Sequence, residues 1–218
     1  MLDFAAARRN MLESQLRPNQ ITDPELLVAM GELPRERFAS EPLRGIAYVD
    51  EDVPIGGGRF LMEPLVLARL IQLAQVAKTE KGLVIGCGTG YATALLARLC
   101  RQAIGLERDP ALAREAAERL RELDLRNASV VAGALEQGYA ARAPYDVILL
   151  GGAVEEVPVM ITDQLAEGGR LVAVLRPQGA VGRATLITRR GALLSRRGTY
   201  DAATLPLPGF ARPKAFVF

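Results

Sequence analysis

Leu83-Val84-Ile85-Gly86-Cys87-Gly88-Thr89-Gly90-Tyr91, residues 83–91, decides how this chain is read. An apolar run enters three alternating glycines and leaves into a helix-compatible segment, Ala92 to Leu99. The next apolar run, Ala103-Ile104-Gly105-Leu106, ends in Glu107, roughly 20 residues past the glycines. Glycine removes the Cβ that would hold a ligand off the backbone. A helix that begins there carries unpaired N–H groups. A carboxylate at the second strand end is suited to gripping ribose hydroxyls. Together these features predict a crevice for a nucleoside-containing ligand, above a bend with no side chains in the way. A tight turn with no ligand is the plainer alternative, and it leaves Glu107 as an accident.

The glycine spacing narrows the ligand. A dinucleotide fingerprint is G-x-G-x-x-G. Counted from Gly86 the sixth position is Tyr91, and from Gly88 it is Thr93, so the third glycine is missing in both registers. The pattern G-x-G-x-G resembles motif I of the S-adenosylmethionine-dependent methyltransferases, whose cofactor has no pyrophosphate to cradle. That resemblance implies S-adenosyl-L-methionine as cofactor, with Gly86, Cys87, Gly88, Gly90 and Glu107 around it.

Composition excludes several other classes. The chain has 218 residues, 50% of them apolar and 24% charged, enough for one ordinary core and a polar surface. A net charge of +2, with arginines interleaved among acids, is not the clustered basic face of a nucleic-acid binder. The pairs Arg189-Arg190 and Arg196-Arg197 flank Gly191 and read as a solvated hairpin edge. No run of about 18 apolar residues predicts a membrane span, and the first residues carry no secretory pattern. Cys87 and Cys100 form no disulfide or zinc pattern and read as buried thiols of a reducing compartment, so a cytoplasmic location is expected. Histidine is absent. Ser–His and Cys–His nucleophiles and His-ligated metals are thereby excluded, and no metal site is expected. Methyl transfer to a carboxylate survives this restriction. The acceptor is already ionised at neutral pH, and the demand falls on alignment and exclusion of water.

Periodicity places the rest. Phe4 to Arg17 reads as a helix, broken by Pro18-Asn19-Gln20. Thr22 or Asp23 caps a second helix with Pro24 in its first turn. Pro34 to Phe38 is a short irregular piece, Glu41 to Asp52 a loop, and Pro54 to Phe60 a flexible turn into a third helix, Glu63 to Val76. Strands are expected at Gly82–Gly86, Ala103–Glu107, Ala128–Ala132 and Asp146–Leu150. Helices are expected at Tyr91–Leu99, Pro110–Leu123 and Pro158–Ala166. Arg170–Leu175 follows as a strand, then a hairpin of Ala184–Arg189 with Leu193–Thr199, and the tail Phe210 to Phe218 adds a last short strand. This alternation predicts an α/β fold, a doubly wound, mostly parallel Rossmann-like sheet with an antiparallel C-terminal hairpin. Residues 1–80 form an N-terminal helical cap on the substrate side, and residues 81–218 the cofactor-binding core.

Over most of its length the chain resembles the protein-L-isoaspartate (D-aspartate) O-methyltransferases. Arg9-Asn10-Met11-Leu12 through Gln15-Leu16 is similar to the family's opening helix. Val28-Ala29-Met30 with Pro34-Arg35-Glu36-Arg37-Phe38 is similar to its A-M…V-P-R-E-x-F segment. Ala47-Tyr48 with Asp50 or Asp52, then Pro54-Ile55-Gly56, resembles A-Y-x-D…L-P-I-G. Ala143-Pro144-Tyr145-Asp146, and Gln164-Leu165 with Gly168-Gly169-Arg170-Leu171-Val172, match A-P-Y-D and Q-L…G-G-R-L-V. The resemblance implies carboxyl methylation of L-isoaspartyl residues in damaged proteins or peptides, a repair reaction.

The departures fall on the sites. The family carries T-I-S-x-P before the third helix, whose hydroxyls meet the substrate carboxylate. Here the segment is Phe60-Leu61-Met62-Glu63-Pro64, and neither Phe60 nor Met62 can hydrogen-bond an anion. Glu63 adds a charge that repels a carboxylate acceptor. The strand-one acid is Val84, and the G-D-G turn after the third core strand is Gly133-Ala134-Leu135, so Ala134 stands where an aspartate would meet the adenine amino group. Each lost polar contact lowers cofactor affinity by roughly tenfold.

Three readings stay open on the sequence: the family's own reaction, with backbone amides around Ile55, Gly56, Gly57 and Gly58 holding the carboxylate; a methyltransferase with a changed acceptor, in which Glu63 orients or deprotonates a nucleophile; and a cofactor-binding scaffold with little catalysis. Tyr48, Tyr91 and Tyr139 read as packing residues. Asp50-Glu51-Asp52 reads as a solvated loop, or as a lid ahead of the three glycines. No catalytic residue and no oligomeric state is assigned.

Overall fold

Strands that lie inside a parallel sheet are covered on both faces and become continuous apolar runs. In the computed structural model, which describes residues 2–210, such runs form the centre of a seven-stranded sheet. The last strand expected in the tail lies outside the described residues, apart from Phe210.

The N-terminal part begins with α1 (Phe4–Asn10), capped by Asp3, which accepts the Ala6 amide at 2.9 Å. The helical path continues as a wider π turn, Met11–Leu16, that buries Met11 and Leu16. Asp23 caps α2 (Pro24–Glu32) through the amides of Glu25 and Leu26, with Pro24 in the first turn as expected. Short 3₁₀ turns follow at Arg35–Phe38 and Glu41–Ile46.

The flexible turn expected over Pro54–Phe60 is instead an antiparallel hairpin, β1 (Val53–Gly56) with β2 (Arg59–Leu61). Val53 and Ile55 are buried and alternate with exposed Pro54, the period of a strand. Gly56, Gly57 and Gly58 all take positive φ and make the reversal. The chain then enters α3 (Pro64–Ala74).

The core alternates β3 (Lys81–Ile85), α4 (Tyr91–Leu99), β4 (Gln102–Glu107), α5 (Pro110–Glu122) and β5 (Ala128–Ala132). It continues through β6 (Tyr145–Val154), α6 (Val159–Thr162), β7 (Leu165–Leu175), β8 (Arg183–Arg190) and β9 (Leu193–Asp201). The sheet order is β5-β4-β3-β6-β7-β8-β9. The five strands from β5 to β7 are parallel, and β8 and β9 close the sheet as an antiparallel hairpin. This is the doubly wound, mostly parallel Rossmann-like sheet expected from the alternation.

The helix expected over Pro158–Ala166 is a single turn, and β7 starts at Leu165. Gln164 is the reason. Its amide nitrogen donates to the carbonyls of Gln137 and Met160, and its Oε1 accepts the Tyr139 amide at 2.8 Å. The side chain ties this stretch to the turn after β5, and the helix stops there.

Chain order reverses where β6 returns beside β3. In open α/β sheets the ligand crevice lies outside the strand ends at that point. Two segments cover it here. One is the β1–β2 hairpin. The other is a strap, residues 202–210, in which Leu205 accepts the Ala153 amide at 2.9 Å and the Leu207 amide donates to Ala153 at 2.8 Å.

Candidate functional site

The glycine turn is built against β4. The amides of Gly86 and Cys87 both donate to the Leu106 carbonyl, at 2.8 and 3.0 Å. Gly86, Gly88 and Gly90 all have positive φ. Glu107 closes β4 and is 0% exposed. One carboxylate oxygen accepts the Gly88 amide at 2.7 Å, and the other accepts the Arg108 amide at 2.8 Å and the Asp109 amide at 3.3 Å. The carboxylate is therefore turned toward the glycine turn and also braces it. Asp109 caps α5 through the amides of Ala111 and Leu112.

The unobstructed bend expected from the glycines is not what the structure shows. A Cβ at Gly86 would lie 2.3 Å from Cδ2 of Leu207 and 2.7 Å from Nη2 of Arg59. At Gly88 it would lie 2.6 Å from Cδ1 of Ile55. Gly90 serves packing, since a Cβ there would press on Ala116 of α5. Arg59 is 3% exposed; its Nη2 donates to the Gly86 carbonyl at 2.8 Å and its Nε meets Glu107 at 3.4 Å. What remains is a cavity of about 20 Å³ bordered by Ile55, Phe60, Leu61, Met62, Cys87 and Ala92.

The other residues named from sequence divide by position. Ile55, Phe60 and Met62 come together at the crevice mouth with Gly86 and Cys87. Gly56 is exposed on the hairpin turn. Cys87 is a buried free thiol, pushed well above its ordinary range by burial and then by the charge of Glu107, so it is not a nucleophile. Ala134 is half-buried, and Leu135 is buried in the apolar cluster that holds Leu83, Ile85, Leu106 and Leu207. Glu63 precedes α3; burial first, then the charges of Asp50 and Asp52, raise its pKa to about 7.

The acidic run is a loop with Asp50 and Glu51 exposed, as expected, but two of its acids are also tied to neighbouring donors. Asp52 accepts the Glu63 amide at 2.9 Å through one oxygen, and the Thr204 hydroxyl and Leu205 amide through the other. Asp50 accepts the Leu65 amide at 3.3 Å. Amides at the start of a helix lack partners within it, which is why two acids gather there.

Sequence reasoning missed Arg59, Leu207 and Arg35. Arg35 is fully buried, donates to the carbonyls of Ala47 and Met62, and lies 4.9 Å from the Tyr91 ring centroid. Tyr91 itself packs edge-on against Phe38, the packing role expected of it. A signal for Arg59 existed: it is in phase with inward-facing Leu61, and a charge at an inward strand position points at a partner. Nothing local marks Leu207.

A family model described as protein-L-isoaspartate (D-aspartate) O-methyltransferase matches residues 7–202. A protein-L-isoaspartate O-methyltransferase of Koribacter versatilis is 38% identical over 208 residues, covering 94% of this chain and 92% of its own. One from Alkalilimnicola ehrlichii is 40% identical over 205 residues, with 94% and 93% covered.

The chain belongs to the protein-L-isoaspartate (D-aspartate) O-methyltransferase family.

A solved protein-L-isoaspartate O-methyltransferase superposes with a TM-score of 0.80 at 25% identity, over 93% of this chain and 66% of that one. The structure of a putative protein-L-isoaspartate O-methyltransferase from Plasmodium falciparum in complex with S-adenosyl-L-homocysteine has a TM-score of 0.76 at 21% identity and shares the fold over 94% of this chain and 98% of that one. The family's methyl donor is S-adenosyl-L-methionine, and this chain is an S-adenosylmethionine-dependent O-methyltransferase by descent.

Residue type suits that cofactor: glycines at the bend and a carboxylate at the end of β4. The described conformation does not admit it. Small-molecule sites start at about 300 Å³, and the cavity here is about 20 Å³. Ile55, Arg59 and Leu207 occupy the space. Among the described residues, no group of histidine, cysteine or acidic side chains could hold a metal ion, and no helix is long and apolar enough to cross a membrane.

Proposed function

We propose that this chain methylates the carboxylate of L-isoaspartyl residues in damaged proteins or peptides, the reaction for which its relatives are named. The observation that carries the reading is the position of the hairpin and of the start of α3. Phe60, Leu61 and Met62, from the segment corresponding to the family's substrate motif, border the same crevice as Gly86 and Cys87 of the glycine turn. An acceptor carboxylate is ionised at neutral pH and needs no general base, in keeping with a chain that has no histidine. Phe60, Leu61 and Met62 supply an apolar wall that excludes water there. Glu63, with its pKa near 7, is in good part neutral at physiological pH and repels an incoming carboxylate less than an ordinary glutamate. The buried free thiols Cys87 and Cys100 suit a reducing cytoplasm.

A changed acceptor is the second reading. It is favoured by the loss of both hydroxyls at Phe60 and Met62, which removes the family's anion grip. The test is turnover of an isoaspartyl peptide with labelled S-adenosylmethionine, against the matched aspartyl peptide. Methylation confined to the isoaspartyl peptide supports the first reading, and equal or absent labelling of the two overturns it.

A further inference from the structure

The cofactor that the family requires and the closed shape of this crevice disagree, and the residues responsible lie on the hairpin and the strap. Arg59 lies against the backbone of the glycine turn and beside the one carboxylate suited to ribose. The contact with Glu107 is long, 3.4 Å, beside 2.7, 2.8 and 3.3 Å for the amides of Gly88, Arg108 and Asp109. Three backbone amides already satisfy the carboxylate, so it does not need the guanidinium for its own burial. The anchor of Arg59 is instead the Gly86 carbonyl, at 2.8 Å. From the opposite side Leu207 closes on the same glycine. Behind Leu207 the strap borders a second cavity of about 280 Å³, next to Ala153, Val154, Arg176, Pro206 and Phe210, which gives the leucine room to withdraw.

We propose that Arg59 is an internal occupant of the cofactor crevice, displaced when S-adenosylmethionine or its demethylated product binds, with Leu207 as the second wall of the gate. The guanidinium holds the place of ligand hydroxyls at Glu107 and of a ligand's backbone contact at Gly86. Apparent affinity is then the intrinsic affinity reduced by the fraction of molecules with Arg59 withdrawn. Arg59 thus sets how tightly the cofactor is held, independently of the acceptor. A cationic plug also opposes the cationic sulfonium of the methyl donor at short range. The inference rests on the cofactor using this crevice, and not on which carboxylate is methylated.

Calorimetry of S-adenosylhomocysteine binding to the full chain tests it. Arg59→Gln keeps an amide that can donate to Gly86 and removes the bulk and charge beside Glu107. We expect it to tighten binding by roughly tenfold, the gain when a competent fraction near one tenth becomes dominant. Leu207→Ala opens the opposite wall and should tighten binding in the same direction. Circular dichroism reports whether each variant is folded, and the leucine variant carries the test if the arginine variant is not. Unchanged or weaker binding in the folded variants overturns the gate and makes Arg59 a structural ion pair or a ligand contact. A variant that binds tighter yet labels no isoaspartyl peptide leaves the gate standing and removes the proposed acceptor.

Discussion

Asp52 accepts the Thr204 hydroxyl at 2.7 Å, although the two residues are 152 positions apart in the chain. The same oxygen takes the Leu205 amide at 2.8 Å, while the other takes the Glu63 amide at 2.9 Å. One carboxylate therefore joins the start of α3 to the strap over the crevice. Asp52→Ala removes all three acceptances. It should lower stability by about 2–4 kcal/mol, since hydrogen bonds to a charged group are the stronger kind. Urea unfolding checks the energy, and limited proteolysis should show earlier cleavage within residues 202–210. A strap no more sensitive than in the parent would show that Asp52 is not its latch.

Glu107 braces the glycine turn on both carboxylate oxygens. Glu107→Gln keeps the shape but offers only one oxygen, so the amide of either Gly88 or Arg108 faces an NH₂ group. A loss of about 1–3 kcal/mol in stability is expected from the unsatisfied donor. S-adenosylhomocysteine affinity should fall by at least roughly tenfold. Thermal melting and calorimetry measure the two effects. Unchanged affinity would remove Glu107 from the cofactor site.

By the family resemblance Phe60 and Met62 correspond to hydroxyl-bearing positions, and both border the crevice. The double variant Phe60→Thr, Met62→Ser restores two groups that can bind a carboxylate. Initial rates on an isoaspartyl peptide should rise, mainly through a lower KM for the peptide. The same change empties part of an apolar wall and should cost about 2–4 kcal/mol of stability. If the rate does not rise in a folded double variant, the missing hydroxyls are not what limits turnover.

Glu63 predicts a pH dependence with a definite sign. Its pKa is raised from 4.5 to about 7, so the folded chain holds this proton more tightly than the unfolded chain does. The stability linked to it is complete below about pH 4.5 and is lost as pH rises through about 7. Glu63→Gln removes that loss. The side chain is only partly buried and solvent screens it, so the gain over the parent near pH 8 should be about 1 kcal/mol. Near pH 4 the two proteins should match. Chemical unfolding at both pH values decides it, and an equal difference at the two would assign the effect to something other than titration.

Much of the fold is legible because its determinants are local. The apolar runs of β3, β4 and β6, the caps Asp23 and Asp109 with the prolines that follow them, and the alternation of strand with helix specify a parallel sheet without reference to distant residues. The expected flexible turn at Pro54–Phe60 also had a strand's alternation, masked by three glycines that looked like mobility and are a hairpin reversal. The short α6 was not legible, because the side chain that ends it, Gln164, bonds to Gln137 and Tyr139 in another turn.

The sequence by itself determined that there is a glycine bend with an acid at the next strand end, that imidazole chemistry is excluded, and that the substrate hydroxyls are missing. The first two are properties of residue type and spacing, and the third follows from the resemblance to the family's motif. Only the tertiary structure decided what fills the bend. Arg59 reaches Glu107 across 48 positions and Leu207 reaches Gly86 across the sheet, while Asp52 holds the strap that carries Leu207. The physical reason is that periodicity encodes which face of an element is buried, and carries no information on which distant side chain will bury it.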